Sequence, residues 1–478
     1  MKTIGIIAEY NPFHNGHAYQ IKKIREQTNA DFCIVAMSGN FVQRGAPAIV
    51  DKYARTRMAL SCGADLVVEL PVLWATASAE DFAMAGVSLF DKMGCVDGLC
   101  FGAETDDLPL LSAIAEVLVQ EPREYQDALS FYLKKGLNFP RARANALQDY
   151  FGQVSASSTR NQDANMPKDI FSENILTEIL GSPNNILALE YLKALRRRNS
   201  SITPYLIKRE GAGYHQTSLS KVDDAFGFDY KDTLQGMPCA SSTAIRNALL
   251  PAMSKIPMSD SKKFGTQKDI NCETITGDNL TELASAMPSE ALSVLTEYCC
   301  TKPLICTNDF SALLSYRLLL ESQKGVAHFF DSNADISNRV YKNRYHFLSF
   351  EQFCELNKSK DITYTRMSRI LLHVLLGLTK EDATQGKNLD YIPYFRLLGF
   401  RRSSAAALSA IKKASSDVPM ISKLADAKTL LDGPALRMLE QDIFASELYE
   451  QILSHKQNRE HIKGSPMPSE FTQEIVLV

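Results

Sequence analysis

The chain has 478 residues, too many for one ordinary core, so two or three domains are expected. A hydrophobic share of 45% and a charged share of 22% suit a globular protein and exclude a low-complexity one. The formal net charge of -3 does not announce a nucleic-acid partner, although a local basic face can be offset by acids elsewhere. Ten cysteines are scattered without a Cys-x-x-Cys spacing. They suit neither zinc nor a disulfide framework, and are expected as reduced thiols at apolar positions. No apolar run is long enough to cross a bilayer, and the first residues lack the basic start of a signal peptide. A cytoplasmic protein without membrane contact is expected.

Thr3 to Ala8 is a short β-prone apolar run, as a buried parallel strand would be. Asn11-Pro12 stops it, because proline donates no ladder hydrogen bond and holds its predecessor out of the helical region. His14-Asn15-Gly16-His17 then leads directly into a helical pattern carried by Ile21 and Ile24. Strand, tight turn and helix start together make an anion site, since free N–H groups and the helix dipole point into the turn. Two imidazoles at that mouth can donate to a triphosphate and stabilise charge growing on its α-phosphate, and Gly16 lets a phosphate approach the backbone. The bland account is a polar, solvated loop; placement between the first strand and the first helix favours the chemical one.

Further strands are expected at Phe32 to Met37, Asp65 to Leu70, Val96 to Phe101 and Thr203 to Lys208. Helices are expected near Tyr19 to Gln27, Lys52 to Ser61, Ala77 to Met93 and, with joins at Pro122 and Pro140, Leu108 to Tyr150. Such alternation predicts an α/β fold with a doubly wound parallel sheet and ligands beyond the carboxyl ends of its strands. Glu9, Ser38, Glu69 and Gly102 fall there. Arg44, in the loop Ser38 to Gly45, can meet a phosphate or simply be solvated. Gly102 lets a flat base lie against the backbone or merely makes a turn. Asn184 starts a helix as a cap or turns its amide to a nucleotide. Arg209 sits at the ligand edge of the fifth strand.

Ser155 to Met166 and Met258 to Asp278 are polar and suit loops or linkers, and helical segments follow from Leu280 onward. Arg339-Val340-Tyr341-Lys342-Asn343-Arg344-Tyr345 interleaves cations with aromatics. Arg366 and Arg369 are spaced i, i+3 on a helix, and Arg396, Arg401 and Arg402 bracket Gly399-Phe400. Positive charge beside stacking surfaces grips RNA, but surface arginines are also common on any helical domain.

The segment Ala8 to His17 resembles the HxGH signature of the nucleotidylyltransferase superfamily and, more narrowly, the start of the bacterial tRNA(Met) cytidine acetate ligase family. Met37-Ser38-Gly39-Asn40-Phe41-Val42-Gln43-Arg44-Gly45, Asp65 to Pro71, Phe101-Gly102 and Pro183-Asn184-Asn185-Ile186-Leu187 fit the same family. Ala240-Ser241-Ser242-Thr243-Ala244-Ile245-Arg246 resembles the second superfamily signature, with hydroxyls for the β,γ-phosphates and Arg246 for the leaving pyrophosphate. The resemblance implies a Rossmann-like catalytic domain with a helical insertion over residues 1–256. A mainly helical, tRNA-binding domain is implied over residues 279–478.

It further implies that ATP and acetate form acetyl-adenylate, and that the acetyl group passes to N4 of the wobble cytidine of elongator tRNA(Met). The implied catalytic residues are His14 and His17. The implied ATP-binding residues are Ile7, Ala8, Glu9, Tyr10, Asn11, Pro12, Phe13, His14, Asn15, Gly16, His17, Ala18, Tyr19 and Gln20, with Gly102, Asn184 and Arg209. Mg2+ is expected with the triphosphate, with no protein metal site. The expected tRNA contacts are Arg339, Lys342, Arg344, Arg366 and Arg369. Two other functions stay open: a small-molecule adenylyltransferase acting on a phosphate-bearing acceptor, and a non-catalytic tRNA-binding module.

Overall fold

The expected apolar runs form β1 (Thr3–Ala8), β2 (Phe32–Ser38), β5 (Leu66–Leu70), β6 (Gly98–Ala103) and β7 (Thr203–Lys208) in a computed structural model. It describes residues 1–158, 173–209, 241–250, 278–415, 417–459 and 468–478. Between β2 and β5, β3 (Phe41–Val42) and β4 (Ala46–Pro47) make a separate antiparallel hairpin. All five runs pair in parallel, in the order β5-β2-β1-β6-β7. β2 and β5 extend the sheet one way from β1, and β6 and β7 the other. The crevice beyond the carboxyl ends of β1 and β6 is therefore the topological switch point.

Helices cross between the strands because their apolar positions recur at helical spacing. In the helix Asn15–Thr28, Ile21 and Ile24 are buried and Lys22 is exposed. Ala79–Met93 starts at its Ser78 cap and ends at Gly94, which has φ of 66°. This helix lies directly on β1: a Cβ on Gly86 would stand 2.4 Å from Ile7, and one on Gly5 2.6 Å from the Phe90 ring. Only glycine permits that approach.

The C-terminal half is mainly helical, including Ser289–Thr301, Ser311–Leu320, Ala334–Asn343, Phe350–Asn357, Tyr364–Leu376 and Gly433–Arg459. It also completes the sheet. β8 (Phe395–Phe400) pairs antiparallel with β5, and both β9 (Met420–Ile421) and β10 (Val476–Leu477) pair in parallel with β8. The sheet thus runs across the expected division into residues 1–256 and 279–478. The physical reason is the edge of β5, whose unpaired backbone groups β8 covers. The polar segment 258–277 and residues 159–166 of the other expected loop lie outside the described residues.

Arg396, grouped in the sequence with candidate RNA contacts, is buried in β8 and pairs with Glu470 at 3.8 Å. It belongs to an internal ionic cluster. Lys52 Nζ donates to both carboxylate oxygens of Glu69 (2.9 and 2.8 Å) and to Ser446 (2.9 Å), and pairs with Glu470 at 2.6 Å. Burial opposes the charge on Lys52, but Glu470 and Glu69 outweigh it and hold the ammonium above its ordinary pKa. The helix Gly433–Arg459 joins the same region, with Tyr449 donating to the Ala48 carbonyl at 2.9 Å.

Candidate active site

The turn after β1 is fixed by its own histidines. His14 caps the helix Asn15–Thr28: its Nδ1 accepts from the Gly16 N–H at 3.1 Å, and His17 Nδ1 accepts from the His14 N–H at 3.2 Å. This is a capping box built from imidazoles instead of the usual hydroxyl and carboxylate. Because both Nδ1 atoms accept, the hydrogen-bond pattern assigns each neutral ring its proton at Nε2. The rings stack with centroids 3.7 Å apart, and Tyr10 and Phe13 pack on His17 at 4.7 and 5.4 Å.

Burial, then the positive charges of Arg209 and Arg246, lowers the His14 pKa to about 3. Burial, His14 and Arg209 hold His17 well below its usual value. Protonating Nδ1 would also break the cap. Both residues are therefore neutral donors near pH 7, offering Nε2–H groups and not cationic charge.

Fixed cations surround this pair. Arg246, on the helix Ser242–Leu249, donates to the Asn11 carbonyl at 2.7 Å and to the Thr243 hydroxyl at 3.0 Å. Ser241 caps that helix by accepting from the Ala244 N–H at 3.1 Å. The second signature is thus brought against the first turn; Ala240 lies outside the described residues. Arg209 follows β7, its N–H donating to the Ala103 carbonyl at 2.9 Å, and a Cβ on Gly102 would lie 3.4 Å from Arg209 Cγ. Gly102 and Arg209 are neighbours on the crevice floor. The Arg209 guanidinium is exposed, without an ion pair among the described residues.

The other expected ATP contacts divide. Ile7, Ala8, Glu9, Gly16, His17, Ala18, Tyr19 and Gln20 are all partly exposed, whereas Tyr10, Asn11, Pro12, Phe13 and Asn15 are buried. Asn11 accepts from the Ile49 N–H at 2.8 Å, and Asn15 donates to the Ser285 carbonyl at 2.8 Å, so both side chains hold the turn in place. Tyr10 and Phe13 fill the core beneath it. Gln20 donates to the Cys100 carbonyl at 3.4 Å. Asn184 starts the helix Pro183–Arg197, and its amide donates to Glu104 at 2.7 Å instead of standing open to a base. Asn185 accepts from the N–H groups of Glu104 and Thr105 at 2.9 and 3.2 Å.

Arg55 was not singled out from the sequence. It is fully buried and donates to the carbonyls of Glu9 (2.7 Å), Ser38 (3.0 Å), Val50 (3.1 Å) and Gly39. It thereby joins the carboxyl ends of β1 and β2. Glu9 in turn accepts from the Gln43 N–H at 2.9 Å, drawing the loop Ser38 to Gly45 onto the crevice. Its helix begins Lys52-Tyr53-Ala54-Arg55-Thr56-Arg57, a polar stretch in which nothing marks Arg55 as the buried one. Among the described residues no three His, Cys, Asp or Glu side chains converge as a metal site.

Of the expected RNA contacts, Arg366 and Arg369 both pair with Asp331, at 3.3 and 2.9 Å. Two arginines share that one carboxylate, and Arg366 stays 38% exposed. Arg339 reaches the Lys358 carbonyl at 3.4 Å. Arg344 lies against the rings of Tyr341 and Tyr345, and Lys342 is exposed beside it.

A parallel sheet with a paired-imidazole turn at its switch point defines a nucleotide-handling site, and residues 1–464 match the family described as HIGH Nucleotidyl Transferase. The relatives within that family are narrower in kind. The chain is 37% identical over 450 residues to the tRNA(Met) cytidine acetate ligase of Thermoanaerobacter sp. (strain X514), covering 94% of this chain and 95% of that one. It is 35% identical over 479 residues to the ligase of that name from Acetivibrio thermocellus, covering both chains completely. Thermotoga maritima TmcAL in its apo form is 27% identical with a TM-score of 0.79, covering 100% of both chains. The same protein bound with alpha-thio ATP gives 26% and a TM-score of 0.77, covering 100% of this chain and 99% of that one. The chain belongs to the tRNA(Met) cytidine acetate ligase family.

Proposed function

We propose that this protein activates acetate with ATP and transfers the acetyl group to N4 of the wobble cytidine of elongator tRNA(Met). The observation that carries the proposal is the pair of neutral imidazoles, with Nε2–H donors, at the switch point of the sheet. Relatives named as tRNA(Met) cytidine acetate ligases and a similar fold holding an ATP analogue support it.

Acetate is already ionised, so the first step needs its repulsion from the triphosphate relieved more than it needs a base. A carboxylate oxygen attacks the α-phosphorus and the bond to pyrophosphate breaks. His14 and His17 donate to the α-phosphate oxygens, where negative charge grows in the transition state. Arg209 and Arg246 neutralise the phosphates on either side of the turn, and Gly102 gives the nucleotide a flat approach to β6. A magnesium ion brought by the triphosphate would help screen its charge from the incoming carboxylate.

In the second step the cytidine amine attacks the acyl carbon, the bond to AMP breaks and one proton leaves N4. The mixed anhydride answers the poor electrophilicity of acetate. Positioning answers the poor nucleophilicity of an amine conjugated with its ring. The base reaches the pocket out of its stack. Mass spectrometry of nucleosides from elongator tRNA(Met), after incubation with protein, acetate, ATP and Mg2+, is expected to show N4-acetylcytidine at the wobble position. Unmodified tRNA together with acetate-independent turnover of a phosphate-bearing acceptor would favour a small-molecule adenylyltransferase instead.

A further inference from the structure

The helix Ala334–Asn343 and the turn Arg344–His346 carry an arrangement that the nucleotide site does not use. The Arg344 guanidinium lies 3.7 Å from the centre of the Tyr341 ring and 4.2 Å from that of Tyr345. It is held there by bonds to the Tyr341 carbonyl at 2.6 Å and the Tyr345 hydroxyl at 3.1 Å. Tyr345 is nonetheless 78% exposed, Tyr341 48% and the nearby Leu348 73%. Neither Arg344 nor Lys342 has an ion pair among the described residues. Beside them is a shallow, solvent-open recess lined by Leu318, Val326, Val340, Tyr341 and Arg344, with Glu321, which pairs with Arg317, on its wall.

A large aromatic ring open to water, with its orientation fixed by an arginine, offers a ready-made face for stacking. The arginine carries no carboxylate, so the covering group is one that accepts positive charge. A base in an unpaired RNA strand supplies both requirements: a flat π-face for the tyrosine and a phosphate for the neighbouring cations. We infer that Tyr345, braced by Arg344 and Tyr341, is a stacking platform for one unpaired base of an RNA loop, with Lys342 on the adjacent phosphate. The inference rests on the proposed action on tRNA. It also replaces Arg366 and Arg369, which are tied to Asp331, as the expected centre of RNA contact.

The test uses the full chain with Tyr345→Ala and Lys342→Ala, and two RNA probes of equal length: an anticodon stem-loop and a blunt duplex. Tyr345→Ala is expected to weaken stem-loop binding about five- to a hundredfold in a band-shift assay, leaving duplex binding unchanged. Lys342→Ala is expected to weaken both probes and reduce the salt slope by about one. Acetate-dependent pyrophosphate release is expected to stay at the wild-type rate, since these residues are remote in sequence from the nucleotide turn and surface-exposed. Equal stem-loop affinity in Tyr345→Ala, equal loss on both probes, or no RNA binding by the wild type would overturn the platform. Failure of acetylation alongside Tyr345-dependent stem-loop binding would instead refute the proposed reaction and leave the platform standing.

Discussion

His14 serves two functions through its two nitrogens, and they can be separated. Nδ1 caps the helix, which leaves Nε2–H as the ring's donor. Asparagine is a good cap with no equivalent of the distal donor. His14→Asn is therefore expected to keep the melting temperature close to wild type, while adenylate formation falls about a hundred- to a thousandfold. Pyrophosphate release and thermal unfolding measured on one preparation check both halves. RNA affinity in the same variant is expected to be unchanged.

The low His14 pKa also has a sign. Because the folded value lies below the unfolded one, the unfolded chain binds the extra proton first on acidification. The contribution to stability is complete above an unfolded pKa of about 6.5 and lost progressively as pH falls toward about 3. Relative to His14→Asn, wild type is expected to lose stability as pH falls across that window, as urea titrations at several pH values would show. A growing advantage at low pH would mean that the imidazole is buried charged.

At the scale of elements, the buried cluster around Lys52 joins the N-terminal α/β layer to the last described segment of the chain. Lys52 starts the helix after the Ser38 to Gly45 loop, Glu69 lies in β5 and Glu470 in the turn Glu470–Thr472. Gly39 has room for no side chain, since a Cβ there would stand 2.4 Å from Glu69 Oε1. Replacing Lys52 by methionine leaves Glu69 buried without a cation and Glu470 with Arg396 alone. That is expected to cost about 3–5 kcal/mol, read by urea unfolding. Adding Glu69→Gln is expected to recover much of it, because the carboxylate left without a cation is then gone while Glu470 keeps Arg396.

At the scale of the molecule, the clearest features in the sequence were local ones. β1, β2 and β6 are short apolar runs, β5 is one broken only by Glu69, and the turn at His14 to His17 sits between clear strand and helix patterns. β8 was obscured because Arg396 interrupts its apolar pattern and acquires a partner only when Glu470 arrives from a distant segment. Arg55 was hidden for the same reason: its partners are backbone carbonyls from β1, β2 and the loop before its own helix. Asn184 was visible as a helix-start residue, but Glu104, which takes its amide, comes from the other side of a helical insertion. Periodicity reports faces and ends; it does not report which distant group neutralises a buried charge.

The placement of β10 ties two distant parts of the fold. The turn before it brings Glu470 to Lys52 beneath the loop Ser38 to Gly45, and β10 itself closes the edge beside β8. A protease cut just ahead of Glu470 would leave the His14 to His17 turn whole yet loosen the keystone under that loop.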